Sequence, residues 1–367
     1  MKFLGLGALI CAAFVGSSAW AQTGVGVLPL VGQLRASDIR PEEGFSGVVG
    51  AGFLPDGSII VGDAGRRSLH LFTSAGRYVK SVGRSGKGPG EFEELRWLIA
   101  CADGSVSTYD SSIDRISVFT PLGTYVKAFA TPAWYLFDTV LSCEDAEDVV
   151  ILQDHPRSKP LERGKSTRFP AVVARANWTR PLFDTVRALR GTEFFFAKVR
   201  GYADLPLGTR AMAASSRGRI ATGESSDTMV LVYEKNSRHI DSLYLRGGRA
   251  KTTSMDWEKA RRNRIELEHE ASTRKQFKTV LEEADPPAFL PVFDALLVDK
   301  YSTAVWARRF SQSDLSAWVR LGRVASNRHA FMLPTNVQVM DVSASMLLGL
   351  RRNDDGTEDL LLYKFRR

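Results

Sequence analysis

The sequence is poor in the residues on which most metal sites and catalytic centres depend. It has three cysteines and five histidines among 367 residues. No two histidines have metal-ligand spacing, and neither an H-E-x-x-H zinc motif nor a G-x-S-x-G nucleophile turn occurs. We therefore expect no metal or other cofactor, and the sequence leans against an enzyme without excluding one.

Long apolar runs are also absent beyond the N-terminus. There, Lys2 precedes the apolar stretch Phe3–Val15, and Ala19-Trp20-Ala21 forms a small-x-small cleavage site. This pattern predicts a secretory signal peptide over residues 1–21. No other stretch approaches the about eighteen apolar residues of a membrane span, so we expect a secreted or periplasmic protein without one.

Acidic residues are fewer than basic residues. Lysine and arginine number 49 against 41 aspartates and glutamates, which gives a net charge of +8. The excess is spread along the chain and suits either acidic partners or simple solubility. Because the sequence has no aromatic-and-basic nucleic-acid motif, we expect no nucleic-acid partner. We expect the protein to be a monomer.

What the sequence does contain is an internal repeat. Leu54–Lys80 and Cys101–Lys127 align without a gap at an offset of 47 residues, with ten identities. The identical pairs are Asp56/Asp103, Gly57/Gly104, Ser58/Ser105, Asp63/Asp110, Phe72/Phe119, Thr73/Thr120, Gly76/Gly123, Tyr78/Tyr125, Val79/Val126 and Lys80/Lys127. A repeat of this length indicates one supersecondary unit that stacks on copies of itself.

Each copy reads as about four short antiparallel strands. Asp-Gly at 56–57 and 103–104 predicts a type I′ hairpin turn, which needs positive φ. A β-rich run, a polar loop, a strand with alternating faces and a glycine turn follow in both copies. Units of this kind are the blades of a β-propeller, so we predict an all-β propeller.

The glycine-rich stretch Gly83–Phe92 (GRSGKGPGEF) does not match a phosphate-binding loop. A Walker A loop needs an earlier glycine and a Ser or Thr after its Gly-Lys pair, but Ser81 and Gly88 occupy those places. Pro89 also prevents a helix from starting where phosphates would require its N-terminus. We interpret the stretch as the connection between two blades.

The blade pattern resembles the NHL repeat of secreted bacterial six-bladed β-propellers in the NHL/TolB-like superfamily. The matching residues are Asp110, Arg115, Ile116, Val118 and Phe119, together with Gly86, Gly88, Pro89, Gly90, Glu91 and Phe92. The first copy departs from the family at Ser68-Leu69, where Arg-Ile is usual. The resemblance covers residues 42–130 and implies that Arg115 braces a blade loop. Some proteins of this fold are zinc-dependent lyases, but the resemblance does not place their histidines here.

The repeat pattern is weaker in the later part of the chain. We expect six blades in a single domain over residues 22–367, with roughly 52 residues in each blade. Helix formers dominate the segment from Ser254 to Pro287, which predicts a helical insertion over about 254–287. It serves either as a solvated lid or as a partner-binding element. The last blade offers only three strands, so we expect Gly26–Ile39 to supply the fourth and close the ring. His155–Pro170 reads as a long basic loop.

Radial repetition brings the corresponding loops of all blades to one end of the channel, where propellers commonly bind ligands. The candidate ligand-binding residues are Asp63, Arg66, Arg67, Asp110, Asp114, Arg115, Asp154 and His155. A mixed Arg/Asp rim suits a polar or anionic ligand. The alternative for each aspartate is a turn cap that accepts backbone N–H bonds. His70 alternates with core residues on a strand, so we expect it to be structural.

Cys101 and Cys143 occupy similar places before the hairpin turns of neighbouring blades. An oxidising compartment permits a disulfide between them, and two free buried thiols are the alternative. Sequence cannot supply the geometry that decides between these, and we take the crosslink as a hypothesis.

The sequence does not decide between two functions. The first is a non-enzymatic binding scaffold for a protein, peptide or saccharide ligand, favoured by the rigid repeat and the lack of a catalytic motif. The second is a hydrolase or lyase with a divalent ion in the channel, which would need several Asp, Glu, Asn or His side chains converging on the axis.

Overall fold

A computed structural model describes residues 26–34, 45–132, 139–154, 162–180, 182–198, 201–234, 236, 238–268, 270–324, 329–353 and 356–365. The predicted signal peptide and the candidate residue His155 lie outside these residues. Within the described ranges, no helix has the length and apolar character needed to cross a membrane.

The strands form six antiparallel sheets, which are the blades of a propeller. The first strand, β1 (Leu30–Leu34), belongs to the last blade. Blade 1 contains β2 (Val48–Phe53), β3 (Ile59–Asp63), β4 (Ser68–Phe72) and β5 (Tyr78–Val82). Blade 2 contains β6 (Leu95–Ala100), β7 (Val106–Asp110), β8 (Arg115–Phe119) and β9 (Tyr125–Ala130). Blade 3 contains β10 (Thr139–Cys143), β11 (Asp148–Gln153), β12 (Lys165–Asn177), β13 (Phe183–Phe196) and β14 (Tyr202–Asp204).

The remaining blades follow the same plan. Blade 4 contains β15 (Ala211–Ser216), β16 (Arg219–Glu224), β17 (Met229–Tyr233) and β18 (His239–Tyr244). Blade 5 contains β19 (Phe293–Val298), β20 (Val305–Arg309), β21 (Leu315–Arg320) and β22 (Ala330–Pro334). Blade 6 contains β23 (Val337–Val342), β24 (Met346–Arg352), β25 (Glu358–Lys364) and β1. The predicted all-β six-bladed propeller is therefore confirmed.

A hydrophobic cluster fills the interface between each pair of neighbouring blades, including the pair formed by blades 6 and 1. Side chains that alternate along a strand point to opposite blades. Ile59 packs with Leu348 of blade 6, whereas the next residue, Ile60, packs with Leu98 of blade 2. Each sheet therefore buries both faces, and the six interfaces close the ring.

The N-terminal strand completes the last blade as the sequence predicts. β1 pairs antiparallel with β25, with Leu34 opposite Leu360. Leu34 is buried in the cluster between blades 6 and 1. The outermost position of blade 6 is thus filled by residues from the opposite end of the chain, which leaves no gap in the ring.

A disulfide joins Cys101 and Cys143, whose Cα atoms are 4.7 Å apart. The N–H of Ala102 also donates to the Cys143 carbonyl at 2.9 Å. Cys101 follows β6 and Cys143 ends β10, so the bond ties the first strands of blades 2 and 3 together. The hypothesis of a crosslink is confirmed.

Blade 3 contradicts part of the predicted loop at His155–Pro170. Gln153 of β11 pairs with Val172, so the first part of β12 extends beyond β11 and pairs with β13 alone. Pro170 lies within β12 at an irregular register, where its missing N–H is tolerated. Phe169 is buried against the ring of Phe196. This aromatic packing makes residues 165–170 strand rather than loop.

The Asp-Gly turns are tight but are not of the predicted type. Gly57 has φ +84°, whereas Asp56 has no positive φ. A type I′ turn needs positive φ at both central residues, so this prediction is wrong. Instead, the Asp56 carboxylate accepts the N–H of Ser58 at 2.9 Å and holds the turn.

The connection between blades 4 and 5 carries two helices, α1 (Ser254–Glu266) and α2 (Ala271–Glu282), which confirms the predicted insertion. Thr253 and Asp256 form a reciprocal capping box at the start of α1. Val280 of α2 and Trp257 of α1 pack with Phe195 of β13. The helices therefore dock on the extended hairpin of blade 3.

Candidate functional site

The two ends of the propeller carry different parts of the chain. Because the strands of a blade are antiparallel, the turns between second and third strands share one end with the connections between blades. We call this end the connection face and the opposite end the hairpin face. Every predicted ligand residue in the described part of the chain lies at the connection face.

Asp63 is fully buried at the end of β3, and its carboxylate holds two loops. It accepts the N–H of Ser46 at 3.2 Å and the N–H of Arg66 at 3.1 Å. The guanidinium of Arg66 lies 3.3 Å from the same carboxylate. Asp63 and Arg66 are thus brought together, and Asp63 has the geometry of a turn cap.

Asp110 repeats this arrangement in blade 2. Its carboxylate is 1% exposed and accepts the N–H groups of Glu93, Glu94 and Ser112 at 2.6–3.1 Å. A carboxylate that already accepts three backbone donors has little capacity left for a ligand. The repeated aspartates therefore fix the connections between blades.

Arg115 anchors the glycine-rich connection Gly83–Phe92 by hydrogen bonds to its backbone. Its guanidinium donates to the carbonyls of Lys87 at 2.6 Å and Glu91 at 2.5 Å. The Glu91 carboxylate in turn accepts the N–H of Gly88 at 2.8 Å and pairs with Arg84. Arg115 therefore braces a blade loop, as the family resemblance implies.

Replacing Arg115 by glutamine is expected to lower the free energy of unfolding by about 2 kcal/mol, because two carbonyls lose a charged donor. Urea unfolding monitored by tryptophan fluorescence measures the change. The matched control is Arg84→Gln in the same loop, since the Arg84 side chain is 82% exposed and exposed pairs contribute about 0–1 kcal/mol. Equal effects of the two substitutions would contradict the bracing role.

The other predicted residues are dispersed. Arg67 and Asp114 are exposed, and both adopt positive φ at equivalent loop positions. Arg67 donates to the Ser85 hydroxyl at 2.6 Å, and Asp114 accepts from the Tyr109 hydroxyl at 3.2 Å. Asp154 accepts the N–H and the hydroxyl of Thr192 at 2.8 and 2.6 Å. Each contact is local to one blade or one connection.

His70 is 1% exposed and lies between hydroxyl and carboxylate groups. Its Nδ1 is 2.7 Å from the Ser81 hydroxyl, and its Nε2 is 3.9 Å from the Asp63 carboxylate. Burial lowers the pKa of His70 to about 4, partly opposed by Asp63 and reinforced by Arg66. An imidazole held neutral in this way is a weak base, so we assign His70 the structural role that the sequence predicts.

The connection face of blades 3 to 5 carries a network of ion pairs that the sequence analysis did not identify. Arg168 pairs with Glu224 at 2.7 Å, and Arg308 pairs with Asp294 at 2.6 Å. Asp204, on β14, pairs with both Arg210 and Arg264 at 2.7–2.8 Å, which ties α1 to blade 3. Arg168 and Glu224 are 56 residues apart and Asp204 and Arg264 are 60 apart, so no local spacing pattern predicts these two pairs.

The same face carries a run of basic residues and glycines, Arg246–Lys251 (RGGRAK), which we call the basic loop. It follows β18 and precedes α1. Its side chains Arg246, Arg249 and Lys251 are exposed. The sequence signal that predicts it is the density of arginine and glycine between two elements.

The hairpin face has two open grooves between blades. One, of about 590 Å³, is lined by Glu144, Arg175, Arg217 and Glu234 among others. The second, of about 540 Å³, lies beside Lys127 and Glu147. Neither groove is lined by a predicted ligand-binding residue. Among the residues that the structure describes, no group of three or more His, Cys, Asp and Glu side chains could hold a metal ion.

Comparison with known proteins agrees with the architecture. Residues 54–124 match the model of the DUF5128 family, which is described as a 6-bladed beta-propeller. No curated protein matches the chain in sequence.

Solved structures extend the agreement to almost the whole chain. A protein of Bacteroides fragilis that is described as exported shares 12% identity, with a TM-score of 0.50 over 94% of this chain and 99% of the other. A DUF4221 family member from Bacteroides vulgatus shares 11% identity, with a TM-score of 0.53 over 92% and 97%. Identities this low show the fold alone. The chain is a six-bladed β-propeller that is similar in fold to the Bacteroides fragilis protein described as exported.

Proposed function

We propose that the protein is a secreted or periplasmic binding propeller that contacts its ligand through the connection face of blades 3 to 5. The supporting observation is the location of the segments that extend beyond the four-stranded plan of the blades. The extension of β12 and β13 and the helices α1 and α2 all lie on this face and pack together around Phe195, Trp257 and Val280. Loops and elements that a rigid scaffold positions in this way are where binding residues concentrate.

The carboxylates selected from the sequence support binding over metal chemistry. Asp63 and Asp110 are buried and accept backbone N–H groups from the connections between blades. A divalent ion in the channel would need such oxygens free and aimed at the axis. Their role as loop braces favours a rigid display surface for a protein, peptide or saccharide.

Metal removal tests this function against the competing metal-dependent hydrolase or lyase. We expect no stoichiometric metal in the purified protein by elemental analysis. We also expect no change in its melting temperature on adding EDTA, because no bound ion stabilises the native state. An ion present at one per chain, whose removal lowers the melting temperature, would overturn the proposal, since an ion at one hundred times its Kd adds about 2.7 kcal/mol.

A further inference from the structure

Arg309, the last residue of β20, faces the basic loop. A Cβ atom built on Gly247 would lie 3.1 Å from Nη1 of Arg309 and 3.4 Å from Nη2. Gly247 has φ +130°, a conformation that side chains rarely adopt, so the open space beside the guanidinium is a property of glycine. The guanidinium of Arg309 therefore lies against the bare backbone of the basic loop.

Within the part of the chain that the structure describes, this guanidinium has no acidic partner. Its Nε is buried and has no hydrogen-bond partner, and no side-chain contact pairs Arg309 with an acid among the described residues. Burial lowers the pKa of Arg309, and no neighbouring carboxylate opposes that shift. By contrast, Arg168, Arg210 and Arg308 on the same face each pair with an acid. Arg309 is partly buried, and a partly buried cation without a partner is costly, a cost that a bound anion would offset.

The basic loop contributes positive charge to the site but no acidic side chain. Arg246, Arg249 and Lys251 have no ion pair within the described ranges. The loop is nevertheless held in place, because the N–H of Leu290 donates to the Ala250 carbonyl at 2.9 Å. A fixed backbone with three exposed cations and two adjacent glycines lets an anionic group approach closely.

We propose that Arg309 and the basic loop form a binding site for the carboxylate or sulfate groups of an acidic polysaccharide. This inference rests on the proposed function and names its ligand class. The exposed ring of Phe289 lies beside the site, with the Arg249 guanidinium 4.7 Å above its centre. A ring next to guanidinium groups suits the apolar face and the charged group of a sugar unit.

A nucleic acid fits the site less well. Single strands are bound by series of aromatic side chains on which successive bases stack. Among the described residues, Phe289 is the one ring that lies under a cation of this loop. Duplex recognition requires a helix or ribbon that enters a groove, and the basic loop is neither. We therefore assign the polysaccharide, and nucleic-acid binding becomes an outcome of the test.

The test measures binding of polygalacturonate and dextran sulfate to the purified protein by calorimetry, with neutral dextran as the uncharged probe. Arg309→Gln and the double variant Arg246→Gln/Arg249→Gln are each expected to weaken binding at least about tenfold, because each removes charged donors to the anion. The matched control is Arg77→Gln/Lys80→Gln, which removes two charges from blade 1, away from this site. It should bind within about twofold of the unaltered protein.

Stability of Arg309→Gln separates a ligand role from a structural one. Since the substitution removes a desolvated, unpaired cation, we expect its free energy of unfolding without ligand to be unchanged or higher. Loss of stability would mean that Arg309 braces the fold, and would overturn the assignment. Equal weakening by the control pair, binding of neutral dextran, or tighter binding of duplex or single-stranded DNA than of either polysaccharide would also overturn it. The preferred polyanion then identifies carboxylate or sulfate as the recognised group. Failure of this site leaves the metal analysis, and with it the choice between binding module and metal enzyme, unaffected.

Discussion

Removing the disulfide between Cys101 and Cys143 is expected to lower the free energy of unfolding by about 4 kcal/mol. The bond closes a loop with a sequence separation of 42 residues, so breaking it returns considerable conformational freedom to the unfolded chain. The folded state keeps the hydrogen bond from Ala102 N–H to the Cys143 carbonyl, and the blades remain in contact. Denaturant unfolding of the Cys101→Ser/Cys143→Ser variant, compared with the unaltered protein, measures the difference.

A reducing agent supplies the matched control. Dithiothreitol should destabilise the unaltered protein by a similar amount and leave the double serine variant unchanged. A difference below about 1 kcal/mol between the oxidised protein and the variant would contradict the prediction, because it would lie outside the usual range for native disulfides.

Acidification is expected to destabilise the protein through His70 by up to about 3 kcal/mol. Burial lowers the pKa of folded His70 to about 4, below its ordinary value of 6.5. Between pH 6.5 and 4, His70 is therefore protonated in the unfolded chain but neutral in the folded state. The His70 contribution to stability is complete above pH 6.5, falls as the pH drops toward 4, and changes little below that.

The free energy of unfolding measured from pH 7.5 to 4 in unaltered protein and in His70→Gln tests this account. The variant keeps a polar group beside the Ser81 hydroxyl but cannot titrate, so its pH dependence should be flatter by the His70 contribution. His239→Gln is the control, since His239 is exposed. Parallel pH profiles for unaltered protein and His70→Gln would show that another group carries the acid sensitivity.

The repeat made most of the fold predictable, because the features that define a blade are local. Turn glycines, alternating apolar strands and the spacing of 47 residues all lie within one window of sequence. The extension of blade 3 was not predictable in this way. Its basic residues Lys165 and Arg168 resemble a loop, and only packing of Phe169 against Phe196 of the partner strand makes the segment a strand.

The candidate site was harder to predict than the fold, because its chemistry depends on contacts between distant segments. The sequence placed its candidate residues at the connection face and allowed that Asp63 and Asp110 cap turns. It could not show that Glu93 and Glu94 of the preceding connection would donate to Asp110. That no acid among the described residues pairs with Arg309 is a property of the assembled surface, which a linear pattern does not record.

The position of β1 in blade 6 has a consequence for the kinetics of folding. Gln33 donates to the Asp359 carboxylate at 2.8 Å across a separation of 326 residues. Forming such a long-range pair requires closing nearly the entire polypeptide into one loop, which slows assembly. A nascent chain can build blades 1 to 5 in succession, but its first strand has no partner until the last residues have been synthesised.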